Sequence, residues 1–429
     1  MLKSKQGTLY PLLHELERDG FIQSEWEIPD GERPRIARPL CATNECALRG
    51  CAANDPAIDR LAGALTVDRA QGHIVERFDA GPLEVSITGE FTADRDFLFD
   101  LLRTPSPTGF ETPGQRVWAQ YVRPLADRVE ADAYGNAWAT LDGAEGAPSV
   151  MLEAHADEIG FMVNFVSEVG FLSITRIGGS DRALARGRRV RILGEAGEVK
   201  GVIGNTAIHL RDAKDEKVPE WHELFVDVGA KSRDEVVARG IRVGHPGVLD
   251  ETVEELLPGR LVGRALDNRI GGYVIAQVLA ALAAGERPES SVYVANAVQE
   301  EIGGHGARML AYRLRPSVAV VLDVTHATDS PGVSKEKHGH VRLGGGPTVT
   351  HGTANPPAVV ARLVEVAARE DIPIQHEASS RFTGTDTDDI FASRSGVASA
   401  LVSLPMRYMH STVETVDLDD VPPQALVAD

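Results

Sequence analysis

Asp267, Glu300, Glu301 and Asp323, together with His155 and His410, are the side chains of this sequence that could hold a pair of divalent cations and activate water. Zinc or cobalt in a hydrolase takes imidazole nitrogen and carboxylate oxygen, and a paired site needs one carboxylate to bridge ions roughly 3.5 Å apart. Asp267, in GRALDNR (263–269), has an oxygen for each ion. HADEIG (155–160) supplies His155, with Asp157 two residues on to orient the imidazole, as metal-bound histidines usually require. In QEEIGGHG (299–306) two acids stand side by side before a Gly turn, so one carboxylate can be aimed at metal and the other left for water.

Taken singly, each residue has a plainer reading. A histidine after a strand is usually hydrogen-bonded or at the surface, Asp267 could be a helix cap, Glu300 and Glu301 a solvated strand end, and His410 a loop histidine. The set, not any member, points to metal. His305, His326 and His351 lie near the same motifs but are not needed, because six positions complete two coordination shells. Asp386, Asp388 and Asp389 form an acidic loop, and Gly344 to Gly346 with Pro347 read as a tight turn, since no phosphate-loop lysine follows. Cys41, Cys46 and Cys51 are evenly spaced, yet no further Cys or nearby His completes a metal set, and reduced thiols are the expectation.

The elements that must position these groups are visible as short apolar runs. Val150 to Leu152 lead into His155, Val292 to Val298 into Glu300 and Glu301, Val318 to Leu322 end at Asp323, and Leu401 to Leu404 precede His410. Such runs between helical stretches predict the buried strands of an α/β sheet, whose site lies outside the strands' carboxyl ends. Asp267 begins an apolar-periodic helix through Ile270, Val274, Val278 and Leu282, with Gly285 as its stop. Phe97, Leu98, Leu101 and Leu102 form another helical face, followed by the turn PSPTGFE (105–111) and a second helix. Residues 164–258, rich in Val, Gly and Arg, predict a small inserted β domain with strands at Arg189 to Leu193 and Val199 to Ile203.

Across 429 residues, 44 basic against 63 acidic side chains leave a net charge of −19, which disfavours nucleic acid and anionic membranes as partners. No apolar run reaches membrane-helix length and the N-terminus lacks a secretory stretch, so a cytoplasmic location is expected.

Seven motifs in order, PSPTGFE, HADEIG, GRALDNR, QEEIGGHGA, LDVTHA (322–327), GTD (384–386) and RYMHSTVET (407–415), resemble the M42 metalloaminopeptidases, the TET-forming and glutamyl or leucyl aminopeptidases, over about residues 92–429. The resemblance implies a mixed α/β sheet flanked by helices, of the dinuclear zinc exopeptidase kind, with 91–163 and 259–429 as catalytic domain and 164–258 inserted for oligomerisation and substrate access. It assigns one of two Zn or Co ions to His155, Asp267 and Asp323 and the other to Asp267, Glu301 and His410. Glu300 would be the general base, taking a proton from water and returning it to the leaving amine, and Thr385 and Asp386 would line the substrate pocket. Peptide substrates would be held by their free α-amino group, which confines cleavage to the N-terminal residue. Assembly from a dimer to a twelve-subunit homo-oligomer is also implied, with the family's closing helix expected to be short or missing after His410.

A carboxypeptidase or amide deacylase uses similar residue sets, and many carboxylates are also compatible with a glycosidase. A different class comes from GTLYPLLHELERDGFIQSEWE (7–27), which resembles the recognition helix and wing of PadR-like winged-helix regulators and predicts a helix, then a hairpin turning at Pro29 to Gly31. That would make residues 1–40 a DNA-binding fragment and 41–90 a linker, but six Lys or Arg against seven Asp or Glu in 1–40 suit phosphate poorly.

Overall fold

The computed structural model describes residues 23–27, 35–40, 94–212 and 217–421. The expected helix before residue 20, the cysteines and the 41–90 linker lie outside these residues. The chain divides into units Met1–Ala80 and Gly81–Asp429. In the first, β1 (Gln23–Glu27) pairs antiparallel with β2 (Arg35–Leu40), the two arms of the expected hairpin.

The second unit opens with helix Arg95–Arg103, whose Asp94 side chain accepts from Phe97 N and whose Phe97, Leu98, Leu101 and Leu102 are buried. Helix Thr112–Val122 follows. β3 (Arg128–Ala131), β4 (Ala137–Leu141) and β5 (Ser149–His155) then begin the main sheet. The chain leaves it for β6 (Gly160–Val166), β7 (Phe171–Ile177), β8 (Arg189–Gly194), β9 (Gly197–Ile203), β10 (Phe225–Asp227) and β11 (Pro246–Leu249). These six close into a barrel in the order β10-β7-β6-β11-β8-β9. Period-two alternation explains it: Val190 and Ile192 of β8 are fully buried, while Arg189 faces out. Position 164, expected to open the β insertion, falls inside β6, so the barrel starts earlier, at Gly160.

β12 (Glu254–Leu257) and β13 (Arg260–Gly263) pair outside the barrel, with β19 (Glu414–Asp417) completing their three-stranded sheet. Between β13 and β14 (Ser291–Ala297) runs helix Leu266–Ala284, stopped at Gly285, whose N–H donates to Ala281 O. After helix His305–Leu314 come β15 (Val318–His326), β16 (Thr348–Gly352), helix Pro357–Arg369, β17 (Gln375–Ser379), helix Thr387–Phe391 and β18 (Ala398–Met406).

The main sheet has eight strands in the order β17-β16-β18-β15-β5-β14-β4-β3. Its centre, β18-β15-β5-β14, is parallel and the flanking pairs β16–β18, β14–β4 and β4–β3 are antiparallel. Alternate residues of each strand serve two helix layers. Leu152, Val320, Leu322, Val402 and Leu404 pack with helices Arg95–Arg103 and Leu266–Ala284, whereas Met151, Ala319, Val321 and Leu401 pack with Leu310 and Ile390 on the other face. β15 is longer than its apolar run: it continues three residues past Asp323, to His326. No helix among the described residues is long and apolar enough to cross a membrane.

Candidate metal centre

Because the four central strands are parallel, their carboxyl ends collect at one edge, and the acids and histidines named above come with them. His155 ends β5, level with Ala297 of β14, and Glu300 and Glu301 form the short turn after β14. Asp323 lies in β15 opposite Ser403 of β18, and His410 is four residues beyond the end of β18. Asp267 arrives from the other side, at the irregular start of helix Leu266–Ala284, where residues 267 and 268 depart from helical φ/ψ.

Asp267 directs its two oxygens to different histidines: Oδ1 stands 3.1 Å from His155 Nε2 and Oδ2 3.5 Å from His410 Nε2. Asp323 Oδ1 is 3.7 Å from His155 Nε2, and Glu301 Oε2 is 3.3 Å from His410 Nε2. The donors thus form two trios that share Asp267, namely His155, Asp267 and Asp323, and Asp267, Glu301 and His410, each with ligand atoms within 4.8 Å of one another. Glu300 belongs to neither, and its Oε2 lies 3.9 Å from His155 Nε2. Glu301 Oε1 is buried without a hydrogen-bond partner. A nitrogen-and-oxygen set with a shared carboxylate and a spare buried oxygen fits divalent cations.

The charge balance points the same way. Burial pushes Glu300 up to about 10 and Glu301 to about 7. Burial would raise Asp267 too, but His155 and His410 outweigh it and hold it below the usual carboxylate range. His410, hydrogen-bonded to Asp267 and then Glu301, is raised to about 11. Carboxylates outnumber imidazoles here, and the surplus acid is kept protonated for want of positive charge.

Asp157 does more than face His155 Nδ1, 3.5 Å away. Its Oδ1 accepts Glu300 N at 3.0 Å, and its Oδ2 accepts Glu301 N at 3.2 Å and Thr108 Oγ1 at 2.9 Å, so one buried carboxylate ties the two glutamates to the His155 loop. Left-handed backbone at Ala265 (φ 60), Gln299 (φ 63), Tyr408 (φ 61) and His410 (φ 60) brackets the site, strain of the kind that concentrates where side chains must be aimed. The barrel contributes a wall. Gly178 and Gly179, just after β7, come so close that a Cβ on Gly179 would collide with the His410 ring and one on Gly178 (φ 63) would press on Glu301.

A cleft of about 1140 Å³ opens beside the trios, bordered by Gly179, Glu300, Thr325, Glu377 and Thr385 among others. Thr385 is therefore in its wall. Asp386 is not: it is 1% exposed, beneath the wall, and burial followed by repulsion from Glu153 raises it well above its ordinary value. The backbone turn that exposes Thr385 points the next residue inward. Asp388 instead accepts Thr383 N and Gly384 N, which shapes the loop. His305, His326 and His351 join neither trio, and His351 Nε2 pairs with His376 Nδ1 at 2.9 Å. The Gly344 to Gly346 turn gives two N–H groups to Asp420.

Glu153, Glu414 and Glu158 are among the buried acids that went unread in the sequence. Glu153, pushed up to about 8 by burial, lies within β5, where a single acid in an apolar run was the available signal. Glu414 Oε2 accepts Asp267 N at 3.2 Å, and Glu158 is clasped by Arg264 and Arg269. Nothing in spacing marks these two.

The sequence pattern of the family described as M42 glutamyl aminopeptidase matches residues 135–425. A lysyl aminopeptidase of Pyrococcus furiosus is 37% identical over 332 residues, which are 76% of this chain and 93% of that protein. An aminopeptidase structure from the archaeon Desulfurococcus kamchatkensis superposes with a TM-score of 0.72 at 36% identity, covering 77% of this chain and 92% of that one. The TET1 peptidase of Pyrococcus horikoshii, which can assemble into a tetrahedron or a large octahedral shell, is 27% identical with a TM-score of 0.69 over 78% of this chain and 97% of its own.

Proposed function

The chain belongs to the M42 aminopeptidase family and is a peptide hydrolase, and we propose that it removes N-terminal residues from peptides in the cytoplasm with two divalent cations, Zn or Co, and Glu300 as general base. The observation that carries this is Asp267, whose two oxygens serve two separate histidines. His155, Asp267 and Asp323 would hold one cation, and Asp267, Glu301 and His410 the other. Bound there, the pair supplies Lewis acidity and a water acidic enough to be deprotonated near neutral pH.

The protein's own groups divide the remaining work. Glu300, outside both trios and next to the cleft, takes the proton of the attacking water and returns it to the leaving amine. Without cations it holds a proton, and positive charge beside it favours the ionised form that a base requires. Asp157 keeps Glu300, Glu301 and His155 in register, and Thr385 borders the substrate. The barrel at 160–249 would serve contacts between subunits of a homo-oligomer, as the assemblies of the TET1 peptidase lead one to expect.

The test is a chelation series. Protein stripped with EDTA and reloaded with Zn or Co is assayed on aminoacyl p-nitroanilides beside N-acyl amino acids. Stripping should abolish activity, reloading restore it, and only free-amine substrates react. Glu300→Gln should retain metal by elemental analysis while kcat falls by roughly 10²- to 10⁴-fold. Preference for N-acyl substrates would move the reading to a deacylase, and full activity in EDTA would remove the metals from it.

A further inference from the structure

The segment 330–342, between β15 and β16, is cationic in a chain whose net charge is −19. Lys335, Lys337 and Arg342 stand there against one acid, Glu336, and all four are exposed. Glu336 accepts the Ser334 hydroxyl at 2.9 Å, and Lys335 Nζ lies 3.2 Å from His340 Nε2. Among the described residues no carboxylate pairs with Lys335, Lys337 or Arg342. Three cations without a counterion repel one another, and an anion placed beside them relieves that repulsion.

Both ends of this loop are fastened to the rim of the cleft. The first follows His326, which borders the cleft, and Asp329 there is held by Arg407 at 2.8 and 2.7 Å, three residues before His410. At the second, Arg342 N donates to Gln375 Oε1 and Gln375 Nε2 donates to Arg342 O, both at 3.0 Å, and Gln375 is two residues from Glu377 of the cleft wall. Thr328 and Val341 close the neck, Thr328 N donating to Val341 O at 2.7 Å and Val341 N to Thr328 Oγ1 at 3.0 Å. A positive lip therefore stands at the cleft's edge. β15 covers roughly 10 Å between Asp323 and His326, and an extended peptide rises about 3.4 Å per residue. A peptide with its amine at the trios thus comes level with the lip at about its third residue. In a short peptide that is where the C-terminal carboxylate lies, the charge that complements the lip.

We infer that Lys335, Lys337 and Arg342 form a binding site for a carboxylate near the third residue of the substrate, which favours short peptides with a free C-terminus; the inference rests on the aminopeptidase reading. The experiment uses the metal-loaded full chain and, as first residue X, the one whose p-nitroanilide is cleaved fastest. It compares kcat/KM for X-Gly-Gly, X-Gly-Gly-amide and X-Gly-Glu-amide, which carry a terminal carboxylate, none, and one on a side chain. X-Gly-Gly should exceed its amide by about threefold to tenfold at low salt, through KM, and the ratio should approach one near roughly 0.5 M salt. A further excess of X-Gly-Glu-amide over X-Gly-Gly-amide extends the site to acidic side chains, and its absence restricts it to the C-terminus. Replacing all three cations, Lys335→Gln, Lys337→Gln and Arg342→Gln together, should bring the acid-to-amide ratio to about one and leave the p-nitroanilide, which has no carboxylate, unaffected; a ratio is insensitive to loss of folded enzyme. Equal hydrolysis of X-Gly-Gly and its amide by the wild type, or an unchanged ratio in the triple variant, overturns the lip and leaves the aminopeptidase intact. Hydrolysis of no p-nitroanilide and no peptide overturns both.

Discussion

Glu153 and Glu158 lie five residues apart around the end of β5, at 0% and 2% exposure, and their surroundings treat them oppositely. Glu158 accepts Ser106 N at 2.8 Å and is held by Arg264 and Arg269, and these cations outweigh burial to keep it below its ordinary value. Arg269 in turn donates to Ala156 O, Leu101 O and Thr104 O, so a single ion cluster joins the first helix, the loop after it, the β5 exit and the helix that carries Asp267. Glu153 has no arginine on it, shares a hydrogen bond only with another buried acid, Asp386, and is raised by burial to about 8. The fold neutralises its buried acid where segments must be tied together. Toward the metal trios it leaves acid in surplus.

That contrast can be broken or sharpened by substitution. Arg269→Met keeps bulk but removes one of the two cations on Glu158 together with the bonds to three backbone carbonyls, and urea unfolding should show a loss of about 3–5 kcal/mol; unchanged stability would mean the clasp is decorative. Glu111, 3% exposed, is a third case, raised to about 7 by burial and then by Asp157. The folded protein keeps a proton there that the unfolded chain releases above about 4.5, so more protons are bound in the native state across that window. Stability of metal-free protein should therefore fall as pH rises from 4.5 to 7, and Glu111→Gln should flatten the decline by about 1 kcal/mol per pH unit. A slope identical in wild type and variant would remove Glu111 from the account. Smallest is Glu153→Gln, which should stabilise metal-free protein at pH 8 by about 1 kcal/mol, opposite in sign to Arg269→Met. A loss there would show that the hydrogen bond between Glu153 and Asp386 outweighs the cost of burying the acid.

The sequence made the central sheet legible because β5, β14, β15 and β18 are buried on both faces and so read as largely apolar runs ending near reactive residue types. Helix Leu266–Ala284 was legible through its apolar period and its glycine stop. What spacing could not carry was direction. In GTDTDD (384–389) the acids are nearly adjacent, and only the turn decides that Thr385 meets the cleft while Asp386 goes beneath it. The bonds from Glu300 N and Glu301 N to Asp157 join residues 143 and 144 positions apart, a pairing that no local pattern encodes. The barrel boundary was misplaced by four residues because β6 continues the apolar character of β5 across a short turn.

The glycine pair after β7 has a consequence for exchange between relatives. Gly178 and Gly179 belong to the barrel's loop, yet they set the space that Glu301 and His410 have to themselves. A chimera that swaps in another protein's barrel therefore also swaps one side of the reaction chamber. Even a single methyl group imported at 179 would be felt at the imidazole, so a graft of this kind has to carry both small residues with it to leave the chemistry as it was.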